Sequence, residues 1–259
     1  MAVRALILHA NGSNRDREAA QALALAGAAP EIVHLNHLRA GARRWDDYQL
    51  LVVPGGFSYA DALGAGKLLA LDLNAYFTGE VRAFVDSGRP VIGICNGFQA
   101  LVKAGLLPGT AADAAPTATL TFNAAGRFEC RWVSLLPQSP CCVWTRGLPE
   151  AIYCPVAHGE GNFVTTEPNV LDRLRASGQI ALIYGGPQGA PAQGVYPYNP
   201  NGSAGDIAGI CNAAGNVLGL MPHPEGHVFN YQHPRWTRGE TAGLGLPLFV
   251  NGVQYAAGL

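Results

Sequence analysis

Short apolar runs alternate with segments of helical spacing through the first hundred residues, and this alternation restricts the fold more than any other property of the chain. Ala5 to Leu8, Ile32 to Leu35, Leu50 to Val53 and Pro90 to Ile94 are brief and rich in leucine or β-branched side chains, which predicts strands. Between them, Asp16 to Ala26 reads as a helix opened by Ser13 or Asn14. Leu63 to Asp86 reads as a long helical stretch broken near Asn74 to Gly79, and Gly97 to Ala104 resumes helical spacing. Strands separated by helices predict parallel βαβ units in a doubly wound α/β sheet.

The middle of the chain changes character. Thr117 to Phe122 and Arg127 to Leu135 alternate in polarity around Asn123 to Gly126, which predicts an antiparallel hairpin. Ile207 to Cys211 and Asn216 to Met221 predict a second, turning through Asn212 to Gly215. The Pro- and Gly-rich stretch from Gly185 to Gly205 is flanked by strand signals, so it reads as a structured loop. With no internal repeat, residues 1–259 are expected to form a single domain, the tail after about residue 230 being an extension.

Hydrophobic residues make up 49% of the chain and charged residues 14%, which predicts a compact body with a buried core. A net charge of -1 excludes a global field for nucleic acid or an anionic membrane. No apolar run approaches the ~18 residues of a membrane span, and the apolar run in MAVRALILHA is too short for a signal peptide. The six cysteines lack C-x-x-C spacing. Reduced thiols in a cytoplasm are the expectation.

Three motifs carry chemistry, each directly after a predicted strand. Gly93-Ile-Cys95-Asn-Gly97 has the G-x-nucleophile-x-G form with cysteine as the nucleophile, at a strand-to-helix junction. The helix amino terminus there favours a thiolate, although a structural cysteine in a tight βα turn would show the same pattern. Pro222-His-Pro-Glu225 offers His223 as a proton carrier for the thiol and Glu225 as the carboxylate that orients its ring. Residues two apart in a strand share a face, which would point the two side chains together. Val53-Pro-Gly-Gly-Phe57 leaves backbone N–H groups facing outward, and a tetrahedral intermediate needs such donors. The expected oxyanion pair is the N–H of Gly56 or Phe57 with that of Asn96.

In this order, the three motifs resemble the class I (triad) glutamine amidotransferases. The resemblance narrows to the glutaminase subunits of phosphoribosylformylglycinamidine synthase through Gly55-Gly-Phe-Ser-Tyr59, Gly64-Ala-Gly66, Gly93-Ile-Cys-Asn-Gly97, Pro155-Val-Ala-His-Gly-Glu-Gly161 and Asn199-Pro-Asn-Gly-Ser203. It implies a flavodoxin-like sandwich, with a mostly parallel central sheet plus antiparallel hairpins. It implies catalytic Cys95, His223 and Glu225, oxyanion donors at Gly56 and Asn96, and a glutamine site with Phe57 and Gln99. By the same resemblance His158, Gly159 and Glu160 lie beside the glutamine pocket; by composition alone, that loop could equally face a partner or solvent.

The resemblance further implies glutamine hydrolysis through a Cys95 thioester, with ammonia passed to a synthetase subunit in purine biosynthesis and a small accessory subunit in the complex. Gly64-Ala-Gly66-Lys67 is only a fragment of a phosphate-binding loop. No cofactor is therefore expected in this chain, and ATP and Mg are expected on the synthetase. No metal site is expected at His158/Glu160 or at His223, Glu225 and His227. Three other readings remain open at this stage: an amidotransferase subunit for a different acceptor, a stand-alone hydrolase of the γ-glutamyl peptidase kind, and a non-catalytic binding module. The chain departs from the family at Gly12-Ser-Asn-Arg-Asp16, where arginine replaces a frequent cysteine; that change is expected to leave the triad untouched. Ala60 replaces a common glycine, and extra length is expected within Thr110 to Pro149 and in the tail after His227.

Overall fold

The apolar runs of the first half line up side by side, and those at Ala5 to Leu8, Leu50 to Val53 and Val91 to Ile94 are too hydrophobic to leave either face in water. The computed structural model describes residues 2–109, 116–148 and 150–259; residues 110–115 and 149, part of the expected insertion, lie outside them. The first half forms β1 (Arg4–His9), α1 (Asp16–Leu25), β2 (Ala29–His34), α2 (Leu35–Arg39), β3 (Leu50–Val53), α3 (Lys67–Tyr76), α4 (Thr78–Asp86), β4 (Val91–Ile94) and α5 (Asn96–Lys103). The second half forms β5 (Ala118–Thr121), β6 (Glu129–Pro137), β7 (Ile152–His158), β8 (Asn162–Thr165), α6 (Pro168–Ala176), β9 (Ile180–Gly185), β10 (Ile207–Cys211), β11 (Val217–Leu220) and α7 (Leu246–Ala257).

Among the described residues, nine strands join in one sheet, in the order β2-β1-β3-β4-β11-β10-β9-β6-β7. From β2 to β11 neighbouring strands are parallel, and from β11 to β7 they are antiparallel. The parallel half has the flavodoxin-like order, with β11 in the fifth place. Every residue of β3, β4 and β11 is buried, so this part of the sheet is covered on both faces. Helices α3 and α5 pack together over it, as do α1 and α7. Phe98 on α5 and Phe249 on α7 are fully enclosed, and burial of each such side chain contributes roughly 1.5–3 kcal/mol.

Most predicted elements appear, and the exceptions have physical reasons. The hairpin predicted from Thr117 to Leu135 does not form. The turn at Asn123 to Gly126 exists, but β5 pairs antiparallel with β8 in a separate two-stranded sheet, while β6 pairs with β7 and β9. Alternating polarity states which face a side chain takes and is silent about which strand lies alongside. The helix expected from Leu63 begins only at Lys67, because Leu63, Gly64 and Gly66 all have positive φ. Neither Ser13 nor Asn14 caps α1: the cap position is Arg15, with no side-chain cap bond, and the Ser13 hydroxyl accepts from the N–H of Ala10 instead. The hairpin of β10 and β11 and the structured loop after Gly185 form as expected.

Candidate active site

Parallel neighbours release their chains at the same edge of the sheet, and this rule assembles the site. Ile94 at the end of β4 lies opposite Leu220 at the end of β11, so Cys95 and the segment leading to His223 emerge side by side. β3 ends next to β4 and delivers Gly55 and Gly56 to the same edge.

Cys95 occupies the corner between β4 and α5 with φ 50° and ψ -105°, a conformation unfavourable for a residue with a side chain. Its N–H donates to the Leu220 carbonyl at 2.7 Å, and its Sγ lies 3.7 Å from the Ala157 carbonyl oxygen. The corner closes against β3 so tightly that a Cβ on Gly97 would stand 1.8 Å from the Val53 oxygen. Only glycine fits there.

His223 is anchored by its N–H, which donates to the Pro155 carbonyl on β7 at 2.8 Å. Its ring Nδ1 donates to Glu225 Oε1 at 2.6 Å, and both side chains are almost entirely enclosed. The pair meets through a tight turn at Pro224–Gly226, not through the strand alternation predicted from the sequence. Burial opposes charge on the ring, yet the Glu225 carboxylate with its hydrogen bond, and Cys95, outweigh it and raise the His223 pKa. Burial likewise opposes the Glu225 charge, while His223 and then Arg15 hold its carboxyl below the ordinary value. The N–H of Gly245 donates to the His227 carbonyl at 2.7 Å, which ties the start of α7 to this turn.

The loop after β3 carries the expected oxyanion donors. Phe57 uses its N–H on the Gly12 carbonyl at 3.0 Å, which leaves the N–H groups of Gly56 and Asn96 as the pair to consider; the Phe57 side chain is half-exposed. The Asn96 side chain locks this loop. Its Oδ1 accepts from the Ser58 hydroxyl at 2.6 Å, and its Nδ2 donates to Asp61 at 2.9 Å and to Gln99 Oε1 at 3.2 Å. Gln99 in turn donates to the Glu160 carbonyl at 2.6 Å, and the Glu160 carboxylate accepts from the Ala65 N–H at 3.2 Å. Lys103 closes the circuit on the Ala65 carbonyl at 2.5 Å.

His158 ends β7 and is buried, with Nδ1 donating to Asn123 Oδ1 at 3.1 Å. Its Nε2 finds no hydrogen-bond partner among the described residues. Burial, and then the charge on His223, lower its pKa to about 4, so the ring is neutral at pH 7. Asn123 also accepts from the Gly161 N–H at 2.9 Å and donates to the His158 carbonyl at 2.8 Å. It therefore fixes the segment from His158 through Gly159 and Glu160 to Gly161.

Sequence reasoning missed Asn123, treating it as a turn residue, and missed the Ser58 and Asp61 contacts of Asn96. It also misjudged position 15. Arg15 Nε lies 3.5 Å from Glu225 Oε1, so the departure from the family pattern touches the carboxylate that the resemblance assigns to the triad. Among the described residues, no group of three or more His, Cys, Asp or Glu side chains could hold a metal ion.

This arrangement of a thiol at a strand-to-helix corner, an imidazole–carboxylate pair and outward-facing loop amides is equipped for acyl transfer from an amide. The model of the CobB/CobQ-like glutamine amidotransferase domain matches residues 2–256. The chain belongs to this amidotransferase family. A relative from Treponema denticola, phosphoribosylformylglycinamidine synthase subunit PurQ, is 56% identical over 268 residues, covering 98% of this chain and 99% of its own length. The protein of the same name from Dehalococcoides mccartyi is 43% identical, covering 98% of each. A solved structure of PurLQS from Thermotoga maritima contains a chain with 32% identity and a TM-score of 0.74, covering 98% of this amidotransferase and 99% of that chain. The mixed α/β sheet agrees with that structural match.

Proposed function

We propose that this chain is the glutaminase subunit of phosphoribosylformylglycinamidine synthase, acting in purine biosynthesis. Within that function, Cys95, His223 and Glu225 are the catalytic groups, and residues 1–259 act as a single domain. The observation that carries the assignment is the 2.6 Å pairing of His223 with Glu225 in the turn that follows β11, the strand beside the one that delivers Cys95.

The steps follow from the groups present. His223 accepts the Cys95 proton, and the thiolate attacks the glutamine δ-carbonyl, forming a carbon–sulfur bond. The resulting oxyanion is held by the N–H groups of Gly56 and Asn96. Collapse breaks the carbon–nitrogen bond as His223 protonates the departing ammonia. His223 then takes a proton from water, which attacks the thioester; glutamate leaves and Cys95 regains its proton. The loop from His158 to Glu160, with Phe57 and Gln99, borders the glutamine, and Gln99 acts by holding Glu160 in place.

Free ammonia is protonated in bulk water, so the product must pass directly to a synthetase subunit. ATP and Mg belong on that subunit, and a small accessory subunit completes the assembly. No helix among the described residues is long and apolar enough to cross a membrane, and we assign the chain to the cytoplasm. The test is ammonia release from glutamine by wild type and Cys95→Ala, with and without the synthetase. Equal turnover by the two variants would refute the assignment.

A further inference from the structure

A helix start normally recruits serine, threonine, asparagine or aspartate, and a cation there opposes the helix dipole. α1 instead has Arg15 at its cap position, and that side chain makes no cap bond. Local rules of this kind are broken where a residue is needed for something else, and the surroundings of Arg15 show what that is. Its backbone N–H donates to the Gly55 carbonyl at 3.2 Å, in the loop beside the nucleophile. Its guanidinium reaches across to the Pro224–Gly226 turn, with Nε 3.5 Å from Glu225 Oε1. The space it enters is left open by Gly226: a Cβ at that position would stand 3.1 Å from the guanidinium.

The remaining charged and titratable neighbours define the balance. Glu225 faces His223, Arg15 and the buried Cys154 thiol. His223 faces Cys95 and His158 as well as Glu225. Arg15 also faces Glu18, at 3.8 Å. The carboxylate that orients the imidazole is therefore shared with a guanidinium. Arg15 Nε is buried without a hydrogen bond among the described residues, so its attraction to Glu225 Oε1 at 3.5 Å is electrostatic.

We infer that Arg15 is a positioning residue for the triad, holding the Glu225 carboxylate charged and in place for His223. This inference rests on the glutaminase reading above. Removing the guanidinium makes Glu225 easier to protonate, and protonated Glu225 no longer supports the imidazolium.

The experiment is the pH profile of kcat/KM for glutamine, measured on the full chain with its synthetase. Arg15→Gln moves the acid limb to higher pH by about one unit, whereas Arg15→Lys, which keeps the charge, retains the wild-type limb. Glu18→Gln alters an exposed side chain and leaves Arg15 with Glu225 alone; it moves the limb to lower pH, and it remains informative if Arg15→Gln does not fold. An unmoved limb in Arg15→Gln, equal shifts in Arg15→Gln and Arg15→Lys, or no downward movement in Glu18→Gln overturns the inference. Cys95→Ala, run alongside, separates the two levels. Activity surviving in that variant removes the glutaminase reading, whereas Cys95-dependent activity with an unmoved acid limb removes only the role of Arg15.

Discussion

The backbone N–H of Cys95 donates to the carbonyl of Leu220 at 2.7 Å, so Cys95 is fastened to the strand that delivers His223. Their separation is set by the spacing between two parallel strands in the buried centre of the sheet. The site is thus positioned by ladder hydrogen bonds, with loops adding the groups proposed to hold the oxyanion and border the substrate.

Replacing Cys95 with alanine keeps the Cβ and the corner while removing the sulfur. Glutaminase activity should fall by about ten-thousand-fold or more, while thermal unfolding stays close to wild type. A variant that kept a tenth of its activity would show that another group attacks glutamine.

Glu225→Gln keeps the shape of the side chain but removes the charge that favours the imidazolium. The expected loss is about a hundred- to ten-thousand-fold in kcat, with little change in KM because Glu225 does not border the glutamine. Steady-state kinetics decide this, and a loss confined to KM would contradict the ring-orienting role.

His158 predicts a pH dependence of stability with a definite sign. Its folded pKa of about 4 lies below the ordinary histidine value of 6.5, so between those values the unfolded chain binds a proton that the native chain refuses. The contribution is complete above pH 6.5 and is lost as pH falls toward 4, by up to about 3 kcal/mol. Urea unfolding at about pH 7 and about pH 4.5, either side of most of that window, should show a larger drop for wild type than for His158→Gln. Parallel behaviour of the two proteins would remove His158 as the cause.

Gly97→Ala tests the corner directly. The added methyl has nowhere to go but into the Val53 carbonyl, and α5 must shift away from β3. A loss of about 3 kcal/mol or more is expected, measurable by urea titration, and activity should fall with it. A loss below about 1 kcal/mol would mean that the corner relaxes easily.

Asn123→Ala leaves the segment from His158 to Gly161 without the side chain that clamps it. KM for glutamine should rise several-fold, with a smaller effect on kcat, since the clamp is remote from the sulfur. Unchanged KM would argue that this segment does not border the substrate.

The positions of Cys95, His223, Glu225 and Gly56 were legible because each follows an apolar run, and a run that short and that hydrophobic becomes a buried strand of a parallel sheet. The partners of β5 and β6 were not legible, because polarity encodes a face and not a neighbour. Arg15 illustrates a different limit. Read along the chain it is a surface arginine before a helix, and its meaning depends on Gly226, which makes room by having no side chain. Asn123 was hidden similarly: a turn asparagine looks the same whether its amide faces water or holds His158.

The bond from Gly245 to His227, together with the enclosed Leu248 and Phe249 of α7, has a practical side for anyone preparing this protein. Leu259, just past α7, is 64% exposed, so a purification handle joined at that point leaves the brace behind the His223 turn intact. Truncation ahead of Gly245 would discard that brace and uncover the apolar surface beneath α7. The shortened polypeptide would be inactive for reasons that say nothing about its chemistry.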